Sequence, residues 1–173
     1  YKRSRRGDAL IDRAMRQALA GTGATIQDFS PDGYDERQYC SPGYNLPFGL
    51  FQRSAHGAFP EYHTSGDNLD FIRPEHLAAS HDMILEAIEI IEDDCNPVNL
   101  SPMGEPQLGR RGLYGAIGGE TQAADLDALR WVLNLSDGAY SLLDMAERSG
   151  VPHRAIARAA RRLREVGLLG DSD

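Results

Sequence analysis

Cysteine is scarce. The 173-residue chain has two, Cys40 and Cys95, with neither CxxC spacing nor the density of a disulfide scaffold, so both read as thiols in a reducing compartment. Long apolar runs are missing: no stretch approaches the roughly 18 residues that a membrane span needs. The first residues, YKRSRRGD, also lack the apolar stretch of a signal peptide. The expectation is a chain that no membrane anchors, working in the cytoplasm. Basic charge is in deficit as well. Lys and Arg total 18 against 26 Asp and Glu, a formal charge of −8 that divides into −6 for residues 1–111 and −2 for residues 112–173. Neither part has the strongly basic balance of a nucleic-acid binder. What remains is ordinary: 41% of residues are hydrophobic, enough for a core and too many for wholesale disorder. The length suits one large domain or a smaller domain with an appendage.

Apolar spacing divides the chain. Leu10, Ile11, Ala14, Met15, Ala18 and Leu19 recur at helical intervals, with Gly21 and Gly23 as stop signals. Ala24 to Phe29 is a short strand candidate ending at the turn Pro31-Asp32-Gly33. From Tyr34 to Asp70 the pattern is irregular, with at most a strand near Pro47 to Gln52. Pro74 suits the first turn of a helix whose apolar face is Leu77, Ile84, Leu85, Ile88 and Ile91. These pieces predict an α/β arrangement, but one or two strands cannot make a sheet covered on both faces. The stretch NPVNLSPMGEPQLGRRGLYGAIGG is dense in Pro and Gly and lacks apolar periodicity. The domains expected are therefore 1–97, a linker at 98–119, and 120–173. The last reads as three short helices with a tight turn at Ser149-Gly150 before Pro152, and Leu168-Leu169 as the start of a wing. That is the pattern of a winged helix-turn-helix.

An irregular stretch as long as Tyr34 to Asp70 usually carries function. Within it His63 is flanked by Glu61, Tyr62 and Thr64, with Asp67 four residues on. A neutral imidazole is a common zinc ligand, and an Asp can orient it through the other ring nitrogen. The simpler account is a loop histidine packed on Tyr62. Arg37, Arg53 and His56 are candidates for gripping a substrate carboxylate or developing negative charge, although an Arg among carboxylates more often makes a structural ion pair. Tyr39 and Tyr44 could line a pocket or anchor packing. Cys40 has no motif that would make it a nucleophile.

The runs YDERQYCSPGYNLPFG and HGAFPEYHTSGDNLDFI resemble the C-terminal half of a bacterial aminopeptidase-like family, related to zinc aminopeptidases of the phosphorylase/hydrolase-type α/β fold. His63-Thr64-Ser65-Gly66-Asp67 resembles the HTxxD signature that supplies their last zinc ligand, and Asp35 the loop acid beside their active site. The segments QLGRRGLYGAIGG and LRWVLNLSDGAYSLLDMAERSGV resemble the winged-helix tail of that family. The resemblance implies two zinc ions, with His63 the one ligand matched in this chain. It implies Asp67 behind His63 in a supporting role, with the other ligands and a general-base Glu upstream of Tyr1. The chain is then expected to be a piece of a larger hydrolase of peptide or other amide bonds, inactive alone and needing the remainder of its catalytic domain. Similar proteins are linked with polysaccharide biosynthesis, which suggests a sugar-amide substrate.

The alternative expectation, a DNA-binding or protein-interaction module beside a non-catalytic aminopeptidase-like domain, rests on the third helix of the second part. Arg154, Arg158, Arg161 and Arg162 fall on one face, opposite Ile156, Ala160 and Leu163. On a helix-turn-helix that face meets DNA phosphates or guanine edges. A solvated face, or contact with the acidic first part of the chain at net −6, suits the tail's net −2 better. A protein partner or a second copy of the chain is a further candidate for the winged helix, with nucleic acid the less favoured partner.

Overall fold

A computed structural model describes residues 1–55, 57–113 and 120–171. They form two compact units, Tyr1–Ile91 and Glu92–Asp173. The elements in order are α1 (Leu10–Ala18), α2 (Glu36–Tyr39), α3 (Pro74–Asp93), β1 (Pro97–Asn99), a 3-10 turn (Leu108–Arg111), α4 (Glu120–Leu135), α5 (Leu142–Ser149), α6 (His153–Glu165) and β2 (Leu169–Asp171).

In the first unit α1 buries Ala14, Met15 and Ala18 as its spacing predicts, and it also buries an acid, Asp12. The Asp12 carboxylate accepts hydrogen bonds from the Tyr1 hydroxyl (2.9 Å), Ser4 N (2.7 Å), Ser4 Oγ (2.5 Å) and Ala9 N (3.0 Å). Four donors replace the water a buried carboxylate loses. Burial and the bond to Asp12 push the Tyr1 phenol well above the usual tyrosine range. Gly49 lies so close to the Tyr1 ring that a Cβ there would overlap it.

The α/β sheet expected in this unit is not formed among the described residues. The segments at 24–29 and 47–52 are reduced to single bridges, Lys2 with Gln27 and Lys2 with Leu50. Lys2 N donates to Leu50 O and Arg3 N to Gln27 O, both at 2.9 Å. A strand one residue wide on each side of Lys2 gains too few ladder bonds to extend. The helix expected from Pro74 is present, but its apolar face is not covered: Leu77 is 68% exposed, Ile84 46% and Ile88 48%.

The second unit holds a contiguous apolar core. Leu129 and Val132 of α4, Leu142 and Met145 of α5, and Ile156, Ala160 and Leu163 of α6 meet there, closed by Leu168 and Leu169. Small alanines at 157, 159 and 160 on the buried side of α6 allow close helix approach. Local chemistry marks each boundary. Ser141 Oγ accepts from Asp144 N while the Asp144 carboxylate accepts from Ser141 N, a reciprocal cap that starts α5. Gly150, at φ 72°, ends it in the left-handed conformation glycine tolerates.

The second unit differs from expectation at 97–113, which reads as linker from about residue 98. β1 pairs antiparallel with β2, Pro97 opposite Asp171 and Asn99 opposite Leu169, and Val98 bridges to Asp137. Asn99 Nδ2 caps the α4 carbonyl of Leu133 at 2.9 Å. Leu108 and Leu113 join the core. Residues too short and polar to announce a strand acquire one because partners on both sides satisfy their backbone groups. The notional linker residues 114–119 lie outside the described residues.

Candidate functional site

The irregular stretch of the first unit is tied down by a buried ion pair. Lys2 Nζ meets the Glu36 carboxylate at 2.5 Å, with both side chains almost fully buried. Lys2 also donates to the carbonyls of Ser30 and Asp32, and Glu36 accepts from Tyr34 N at 2.9 Å. This clamp fixes the turn at 30–36 and with it the direction of Tyr34. The Tyr34 hydroxyl donates to the Tyr62 hydroxyl at 2.8 Å, joining residues 28 apart in sequence. That bond pushes the Tyr34 phenol up to about 12, because the proton it shares is harder to remove.

Tyr62 stacks on His63, ring centroids 4.0 Å apart at an interplanar angle of 16°. Phe59 meets Tyr62 edge-on at 5.5 Å and stacks on Phe71 at 5.8 Å. His63 has φ 57°, one of two non-glycine residues with positive φ among the described residues. The turn around it is held by Thr64 N and Thr64 Oγ1, which both donate to Glu61 O at 3.0 and 2.8 Å. Such a conformation costs of order 1–3 kcal/mol and persists where surroundings enforce it.

The remaining sequence candidates are distributed as follows. Asp35 caps α2 and is exposed, its carbonyl accepting from Gln38 N and Tyr39 N. Arg37 is exposed on α2. Arg53 is engaged: its guanidinium donates to His76 O at 3.2 Å and Ser80 Oγ at 3.4 Å, both on α3. Asp67 is exposed, and no hydrogen bond joins its carboxylate to His63. His56 lies outside the described residues. Tyr39 stacks on Phe48 at 4.8 Å as a packing anchor, and Tyr44 projects outward. Lys2, Glu36 and Tyr34, which organise the loop, carry no local motif, and their relation is visible only in three dimensions.

An exposed imidazole with no hydrogen bond to a described residue fits the donor chemistry of one zinc ligand. Among the described residues no group of three or more His, Cys, Asp or Glu could hold a metal ion. His63 therefore fits as a single donor, and a complete site needs donors from elsewhere.

In the second unit the basic face of α6 is already partnered. Arg158 meets Asp125 at 2.7 Å, and Arg162 reaches the same carboxylate at 4.0 Å and Leu113 O at 3.1 Å. Arg161 meets Asp93 at 2.9 Å. Arg164 reaches Asp171 at 2.9 Å and Cys95 Sγ at 3.1 Å. Arg154 is exposed at the start of the helix. His153, 3% exposed, has its Nε2 without a hydrogen-bond partner among the described residues. Burial lowers its pKa, opposed by nearby Asp94 and Asp93 and aided by Arg161.

Three helices in the order α4, α5, α6, a glycine turn between the last two, and a returning strand define the second unit as a winged helix-turn-helix, and a family model of that description matches residues 96–171. The model of a domain of unknown function, DUF4910, matches residues 1–94, more than half of the sequence, and the chain belongs to that family. A relative from Clostridium acetobutylicum, named "Putative polysaccharide biosynthesis protein with aminopeptidase-like domain", is 48% identical over 98% of this chain. A crystal structure described as a "putative peptidase" from the same organism superposes with a TM-score of 0.87 at 44% identity over 99% of the chain. The chain spans 39% of the first relative and 38% of the second.

Proposed function

We propose that these residues form one side of the active site in a larger aminopeptidase-like hydrolase of the zinc-dependent α/β type, cleaving peptide or other amide bonds. His63 contributes a single zinc ligand. The other ligands and the general base belong to parts of the protein outside these residues. The observation that carries this reading is His63 itself: an exposed imidazole held at φ 57° against an aromatic stack. Support comes from the aminopeptidase-like domain in the name of a relative that aligns over 98% of the chain.

A zinc ion held in part by His63 would supply a Lewis acid for the scissile carbonyl and for a bound water. The chain's own residues shape the surroundings. Arg37 and Asp35 are exposed on the turn clamped by Lys2 and Glu36. Because Arg53 is engaged by α3, Arg37 is the better placed of the two arginines to bind a substrate carboxylate bidentately. Sugar amides are a further substrate class to try, a reading that the words "polysaccharide biosynthesis" in the relative's name support. Metal analysis of the intact protein is expected to find zinc, and His63→Ala to lower its content. Unchanged zinc in that variant overturns the assignment.

For the winged helix, the carboxylates paired with Arg158, Arg161 and Arg162 favour a protein-contact role over nucleic-acid binding. A DNA-facing helix usually keeps such arginines available to phosphates.

A further inference from the structure

A metal-binding histidine is usually aimed by a hydrogen bond from its second ring nitrogen to a carboxylate or carbonyl. His63 has no such bond to a described residue, and Asp67, the acid nearest in sequence on its C-terminal side, is not hydrogen-bonded to it. What His63 has instead is a ring face. Tyr62 lies 4.0 Å from it and nearly parallel. Tyr62 is itself fixed on two sides, by Phe59 against its ring and by Tyr34 at its hydroxyl, 2.8 Å away. Tyr34 is in turn set by the Glu36 carboxylate at its backbone N, and Glu36 by Lys2.

We propose that Tyr62 is the positioning residue of His63: its ring fixes the plane of the imidazole, and the Tyr34 hydroxyl locks Tyr62. A nitrogen lone pair lies in the ring plane, so holding the plane restricts where a metal can be met. Catalytic and metal constellations lose strength when their groups stray by about 10–20°. Left-handed backbone at His63 turns the side chain toward Tyr62, and the stack keeps it there. The inference rests on the reading of His63 as a zinc ligand.

The test uses the intact protein and two readouts: zinc affinity by chelator competition, and the His63 ring resonances of the metal-free form by NMR. The Tyr62 ring current shifts those resonances upfield in the wild type. Tyr62→Leu is expected to abolish the shift and weaken zinc binding by about 10-fold or more, the usual effect of losing a group that orients a ligand. Tyr34→Phe removes one hydroxyl and is expected to reduce both effects in part. Tyr62→Trp keeps a stacking face and restores both. Thermal midpoints check that the variants fold. If Tyr62→Leu loses the upfield shift but keeps the wild-type zinc affinity while His63→Ala loses zinc, the positioning role is wrong and the ligand reading stands. If His63→Ala keeps its zinc, the ligand reading falls and the positioning role with it.

Discussion

His153 shows how much one side chain can commit. At the first position of α6 it is buried with an unpartnered ring nitrogen, and burial favours its neutral form. Its folded pKa lies below the ordinary histidine value of about 6.5, so below pH 6.5 the unfolded chain binds the proton more readily than the folded one. Stability from the neutral imidazole is therefore complete above 6.5 and is lost as pH falls toward the lowered folded value. His153→Gln is expected to flatten the fall in thermal midpoint between pH 7 and pH 5; an unchanged slope would place that acid sensitivity in other groups. Residues of this kind are hard to read in a sequence. Neither His153, after Pro152 at a helix start, nor Asp12 on α1 carries a sequence signal of burial. Asp12 is enclosed by the donors of Tyr1, Ser4 and Ala9, and Asp93 and Asp94 lie near His153. The Tyr34 to Tyr62 contact is equally silent, since 28 residues separate the two hydroxyls.

Helices with strong local chemistry are foretold best. α5 begins at a Ser and Asp reciprocal cap and ends at Gly150, and α6 opens after Pro152, so pattern and structure agree. β1 escapes notice because three residues in a Pro-rich stretch have no period, and its partners lie near residues 137 and 171. The arginine stripe of α6 is visible in the sequence, whereas Asp125 and Asp93 as its neutralising partners are not. Exposed ion pairs contribute only about 0–1 kcal/mol each, so Arg158→Ala or Arg161→Ala should scarcely change stability. Their larger consequence is for counterion release, whose salt slope is about −0.9 per phosphate neutralised. With Arg158, Arg161 and Arg162 held by carboxylates, duplex DNA binding should be weak, with a log–log salt slope of magnitude about 1–2. A slope steeper than about −4 that falls on Arg158→Ala would reinstate the nucleic-acid reading.

The two units of the molecule are unequally furnished. The second has a continuous core from Leu108 to Leu169, while the first leaves Leu77, Ile84, Leu85 and Ile88 of α3 exposed. Exposed apolar patches of that kind mark interaction surfaces or aggregation liabilities. Prepared alone, the 173-residue chain is expected to bind a hydrophobic dye and to self-associate. Ile84→Glu with Ile88→Glu should suppress both, as read by fluorescence and sedimentation; undiminished association would move the sticky surface elsewhere. The opposite economy holds at the rim of the winged helix, where Pro97 and Asp171 face one another across two antiparallel strands. Pro97 and Asp171 lie at the same end of the pair, so tension applied between them would peel the strands apart one hydrogen bond after another. In mechanical language the pair is a zipper and not a shear clip, while α5 and α6 share the load through Leu142 N on Cys95 O and Arg161 on Asp93.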